Sequence, residues 1–183
     1  QVIGQVIELP AAIRPGRTVA KDQILLRIDA REYEAALAQA EGQLARDRAA
    51  LAQLDVEESN LTQLISTAVN VLDNTQWDFN KTKALFDQQM ASDREFKTAL
   101  IDLERARLTV QEYEHRKALI PAQREQQAAV VRASEATVDL ARLNVEHCTI
   151  KAPFDGVIEE LSVALGQRVQ IGESLFTLLD SRW

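Results

Sequence analysis

Between Gly16 and Pro153, across more than a hundred residues, only Gly42 and Pro121 interrupt the backbone. A stretch that long with so few breakers can be ordered only as extended helix, because strands of this length would need turn residues. Its hydrophobic residues recur every seven positions. One seam runs Leu37, Leu44, Leu51, Glu58, Ile65, Leu72 and Phe79, with a companion of Ala40, Asp47, Leu54, Leu61 and Ala68. A second runs Phe96, Leu103, Val110, Lys117, Arg124, Val131, Val138 and Val145, flanked by Ala99, Ala106, Tyr113, Ile120 and Ala141. Sustained heptads imply helices that meet along a narrow stripe. Asp47, Glu58, Lys117 and Arg124 place charges in that stripe, where they either pair across it or leave it loosely packed.

The helix limits are marked in the sequence. Asp29, with Glu32 three residues on, has the spacing of a capping box ahead of Leu37. The turn falls near Gln88 to Ser92, where Ser92 and Glu95 repeat that spacing. The two arms then hold about 57 and about 55 residues, each about 80 Å long at the rise of an α-helix, and near-equal arms favour an antiparallel hairpin. Pro121 is expected to kink the second arm, because it removes one backbone donor and crowds the preceding turn. Ser59, Asn60 and Thr62 weaken the first arm opposite it.

The two ends resemble each other. Gly4-Gln5-Val6-Ile7-Glu8-Leu9 compares with Gly156-Val157-Ile158-Glu159-Glu160-Leu161. Gly16 and Asp22 have the same spacing as Gly166 and Gly172, with Val19 and Val169 between them. Each end alternates apolar and polar residues in short runs, and neither has enough apolar surface to fold alone. Together they form two halves of one small β-sandwich. The expected organisation is α+β: residues 1–29 and 149–183 make the sandwich, and residues 30–148 make the inserted hairpin.

Several function classes are excluded. The formal net charge is −7 without a basic block, so the chain lacks the clustered cations that neutralise nucleic-acid phosphates. Cys148 is alone, and its neighbour His147 projects about 100° away on a helix, which makes neither a metal site nor a nucleophile–base pair. His115 and Met90 lie far off in sequence. No apolar run approaches the roughly 18 residues that span a bilayer, and no signal peptide opens the chain. Tyr33, Trp77 and Phe79 read as packing residues, with contact to a partner as the alternative for Trp77 near the tip, and the many arm carboxylates as a solvated face. The expectation is a protein that is not an enzyme and holds no metal.

Two half motifs around a heptad hairpin, with Ala152-Pro153-Phe154-Asp155-Gly156 opening the second, resemble the lipoyl-like domain and helical hairpin of periplasmic adaptors, the membrane fusion proteins of the HlyD and efflux-pump type. Asp22, where that pattern has glycine, and the longer spacing from Gly4 to Gly16 are departures in the first half. Family members continue into a β-barrel and usually a membrane-proximal domain, and carry an inner-membrane anchor or lipid, so the chain reads as a truncated adaptor. The resemblance implies a periplasmic subunit of a tripartite efflux or secretion system. Its partners would be an inner-membrane transporter of the ABC, RND or MFS type, a TolC-type outer-membrane channel and further copies of itself, as a hexamer. It also implies docking residues at the hairpin tip: Lys81, Leu85 and Ser92 match the family's Arg, Leu, Ser spacing, with lysine in place of arginine. Lipoyl and biotinyl carriers share the signature, but Asp29-Ala30-Arg31 offers no lysine at the modified turn, and Lys21 and Lys151 lie elsewhere, so no cofactor is expected. The rival reading is a coiled-coil structural or signalling tether that engages no outer-membrane channel.

Overall fold

The computed structural model describes residues 2–180. Three strands come first, β1 (Gly4–Glu8), β2 (Thr18–Val19) and β3 (Ile24–Ile28). Two helices follow, α1 (Arg31–Asp87) of 57 residues and α2 (Asp93–His147) of 55. The chain closes with β4 (Thr149–Lys151), β5 (Gly156–Leu161), β6 (Arg168–Val169) and β7 (Phe176–Asp180). It is a helical hairpin inserted between the halves of a strand-built domain. Two compact units divide it: residues 1–45 with 132–183, and residues 46–131.

In the first unit the strands form two antiparallel sheets, ordered β4-β3-β1-β6 and β2-β5-β7. Each half lends its short second strand to the other half's sheet: β2 pairs with β5, and β6 with β1. The exchange is repeated in the turns. Gly16 N–H donates to Ile158 O at 2.7 Å and Gly166 N–H to Val6 O at 2.9 Å. In return Ile158 N–H donates to Arg17 O and Val6 N–H to Gln167 O. Val6 and Ile158, equivalent in the repeat, are both 1% exposed but sit in different core clusters. Neither half can therefore satisfy its own strand edges, which is the physical reason that both are required.

The adaptor-like signature acts in this exchange. Ala152, almost wholly buried, accepts from Asp22 N–H and donates to Gln23 O, each at 2.9 Å. The Asp155 carboxylate accepts from Lys21 N–H at 2.6 Å. Together they clamp the first half's turn to the second half. Asp22 has φ +64° and Gly172 has φ +87°, so aspartate makes the same left-handed turn as its glycine counterpart, as short polar side chains can. The two extra residues after Gly4 are taken up by a turn in which Ile13 N–H donates to Pro10 O, and Ile13 is buried in the second core cluster.

The start of α1 differs from a capping box. The Asp29 carboxylate accepts from Arg31 N–H at 3.1 Å, which caps the helix, and grips the Arg31 guanidinium at 2.6 to 3.1 Å. Asp29 N–H, which Glu32 would have accepted from, is already donated to Gln5 O at 2.8 Å. A tertiary bond has taken the donor. Tyr33 fastens the same turn: its hydroxyl accepts from Ile3 N–H and donates to Ile3 O.

In the second unit the helices pack antiparallel along the heptad stripe. Leu61, Ala68, Leu103, Ala106, Val110, Ile120 and Val131 are buried there. The charged stripe positions are settled individually. Arg124 bonds Asp55 at 2.9 Å and Glu58 at 3.1 Å across the stripe, and Gln127 donates to the backbone carbonyl of buried Asp47. Lys117 is half-buried. Both helices are continuous at this level, through Pro121 in one and through Ser59, Asn60 and Thr62 in the other. Thr62 turns its hydroxyl onto Glu58 O at 2.8 Å, which keeps a poor helix former within the ladder.

Candidate functional site

The segment joining α1 to α2 is held from both sides. Helix α1 ends in a reversed turn: Met90 N–H donates to Leu85 O at 2.8 Å and Gln89 N–H to Phe86 O at 2.9 Å. This is the Schellman arrangement, with Gln89 at the left-handed position (φ +62°) that glycine usually takes. Helix α2 then opens with a full capping box. Ser92 N–H and Ser92 Oγ both donate to the Glu95 carboxylate at 2.7 Å, and Glu95 N–H returns to Ser92 Oγ at 3.3 Å. Phe96 packs on Phe86 at 4.8 Å and on Phe79 at 5.7 Å between ring centres, pinning the end of α1 to the start of α2. Thr75, Asp78, Arg94, Glu95, Thr98 and Asp102 line an open groove of about 440 Å³ beside the turn.

Of the three residues singled out for docking, Lys81 and Leu85 share one face of α1 by their spacing of four, and Ser92 follows the turn. All three are exposed. Among the described residues no hydrogen bond joins them to one another, so they form a surface and not a pocket. The Ser92 hydroxyl proton is committed to Glu95, and a partner would meet this oxygen chiefly as an acceptor. The Lys81 ammonium lies 5.2 Å from the centre of the Trp77 ring.

Trp77 is not a packing residue. It is 64% exposed, and Met90 beyond the turn is 72% exposed, whereas Tyr33 and Phe79 are half-buried. The signal was in the sequence, because Trp77, Lys81 and Leu85 follow one another at helical spacing.

The Glu95 carboxyl is held below the usual carboxylate range, first by the Ser92 hydroxyl and then by the Ser92 N–H. Both bonds favour the ionised form, so the cap is complete at neutral pH and is lost as pH falls through the lowered value. Ser92→Ala removes the larger cause. The Glu95 carboxyl is then expected to titrate at higher pH than in the parent, as read by NMR. An unchanged titration would show that the hydroxyl is not its partner.

Cys148 is buried at the junction of α2 and β4, where Sγ donates to Asn144 O at 3.3 Å. Burial pushes its thiol up, and the Glu34 and Asp29 charges add to the shift, so the nucleophilic thiolate is disfavoured at neutral pH. His147 is exposed. No described helix is long and apolar enough to cross a membrane.

Comparison with known proteins agrees with this architecture. Multidrug resistance protein MdtN of Escherichia coli K12 is 29% identical over 199 residues, covering all of this chain and 55% of MdtN. The chain thus spans about half the length of that relative. Multidrug resistance protein MdtA of Erwinia amylovora is 30% identical over 159 residues, covering 87% of this chain and 29% of MdtA. The crystal structure of MacA from Actinobacillus actinomycetemcomitans shares the fold with a TM-score of 0.58 at 20% identity, over 98% of this chain and 47% of MacA. The description "RND MFP, barrel-sandwich hybrid domain" matches residues 1–181. With its exchanged half-sandwich and inserted hairpin, the chain belongs to the RND-type membrane fusion proteins, as their barrel-sandwich hybrid domain.

Proposed function

We propose that this domain is the channel-facing part of a periplasmic adaptor in a tripartite efflux or secretion system, anchored at the inner membrane through other parts of its protein. In this reading the hairpin turn docks on a TolC-type outer-membrane channel, and the strand-built unit takes its place in a hexameric ring above an inner-membrane transporter. The role is architectural, without catalysis. The efflux context comes from the multidrug resistance proteins that the chain resembles. The observation that carries the reading is the doubly capped turn, which presents Lys81, Leu85 and Ser92 on a braced surface. A surface held by backbone bonds loses little conformational entropy on binding. Lys81 supplies a cation for carbonyls or carboxylates at helix ends, Leu85 an apolar contact and Ser92 an acceptor.

The test is site-specific photo-cross-linking in cells, in the full-length parent protein. A photo-reactive residue replaces exposed Gln88 in the turn, with exposed Gln53 as the control position. The expected result is an adduct to an outer-membrane channel from position 88 alone. No adduct, with the protein expressed and transport intact, would overturn docking and favour the coiled-coil tether.

A further inference from the structure

We infer that Trp77 is a positioning residue for the tip: its indole face holds the Lys81 ammonium in the orientation in which a partner meets it. This inference rests on the docking reading above. Three observations carry it. The ammonium lies 5.2 Å from the ring centre, inside the roughly 6 Å range of cation–π attraction. Trp77 is 64% exposed although tryptophan is the largest apolar side chain, so its ring is not there to fill the hairpin stripe. Lys81 also has no carboxylate within ion-pair distance among the described residues, whereas Lys97, Arg107, Arg116 and Arg124 on α2 are each paired.

The chemistry explains why a ring suits this position better than a carboxylate. An i,i+4 glutamate or aspartate would neutralise the lysine and compete with a partner's oxygens. The ring quadrupole attracts the cation without satisfying its three N–H donors, leaving them for acceptors on the partner. Lysine lacks the rigid planar fork of arginine, and its flexible stem costs side-chain entropy to order. An aromatic platform one helical turn back restricts that stem before docking, which supplies part of the preorganisation that a guanidinium has by itself. The occupant is the acceptor-rich helical end of an outer-membrane channel.

The test uses the full-length parent in cells, with the photo-reactive residue at position 88 and the yield of the channel adduct as readout. Trp77→Ala is expected to lower the yield about two- to five-fold, the range of an exposed cation–π contact. Trp77→Phe, which keeps a ring, should retain most of it. Lys81→Gln should lower it as well, and Trp77→Ala added to Lys81→Gln should lower it no further. If Lys81→Gln lowers the yield and Trp77→Ala does not, the inference is overturned while docking stands. A further loss in the double variant would also overturn it, because Trp77 would then act by its own contact. If Lys81→Gln leaves the yield unchanged, the docking role of Lys81 itself fails. In the purified protein, the Lys81 methylene protons should show an upfield ring-current shift that Trp77→Ala abolishes, and absence of that shift in the parent would overturn the geometry.

Discussion

Replacing Leu26 with alanine is expected to destabilise the strand-built unit by about 3 kcal/mol, within the range for large-to-small changes at rigid core sites. Leu26 is wholly buried, and it packs with Val6, Ile28, Cys148, Val163 and Val169. Its neighbour Leu25, 1% exposed, belongs to the other cluster with Ile13, Val19, Ala152 and Ile158. Strand β3 thus sends consecutive side chains into two cores. It is also hydrogen-bonded on both edges, to β1 and β4, so the backbone has little freedom to collapse into the space left by the missing methyl groups. Urea unfolding followed by amide exchange in β1, β3 and β5 would read this unit separately from the helices. A loss below about 1 kcal/mol would mean that the site relaxes and the core is not close-packed there.

Gly156→Ala is expected to cost a similar amount, for a different reason. A Cβ at this position runs into the carbonyl oxygen of Leu179 and lies 3.3 Å from the Phe154 ring. The obstacle is backbone. Gly156 pairs with Val19 on one side and Asp180 on the other, so relieving the clash means separating strands. Overpacking of this kind costs about 1–3 kcal/mol, with the upper end expected where no rotamer can yield. At Gly4, its equivalent in the first half, a Cβ would lie 2.5 Å from Ile28 Cγ2, a side-chain atom, and Gly4→Ala should cost less. Nothing lies within 4 Å of a Cβ at Gly42, inside α1, where alanine is expected to gain up to about 1 kcal/mol. Thermal unfolding of the three variants should rank them in that order. A neutral Gly156→Ala would overturn the close approach of β5 and β7.

How much was legible varies with the range of the interaction. The cap at Ser92 was readable because both partners lie within one helical turn and nothing competes for them. The same spacing at Asp29 and Glu32 gave a different structure, because Gln5 O, distant in sequence, already accepts the Asp29 N–H. Arg124 was legible as a charge in an apolar stripe, but its two partners Asp55 and Glu58 follow from the register of one helix on the other. Asp22 stood out as a departure from glycine, although a short polar side chain satisfies the left-handed turn that the position demands. Trp77 stays open in the sequence between packing and contact with a partner, because aromatic character signals apolar surface without saying which way the helix turns it.

The sequence by itself determined the periodic features of this protein. A seven-residue beat specifies long paired helices, and a repeated glycine spacing specifies two similar strand segments, since both depend on local backbone geometry. Only the tertiary structure decided that the halves exchange β2 and β6, that Leu25 and Leu26 serve separate cores, and that Asp155 clamps a turn on the other side of the hairpin insertion. Strand edges and buried donors accept any partner of suitable geometry. Which one they find is settled by whichever arrangement leaves the fewest of them unsatisfied.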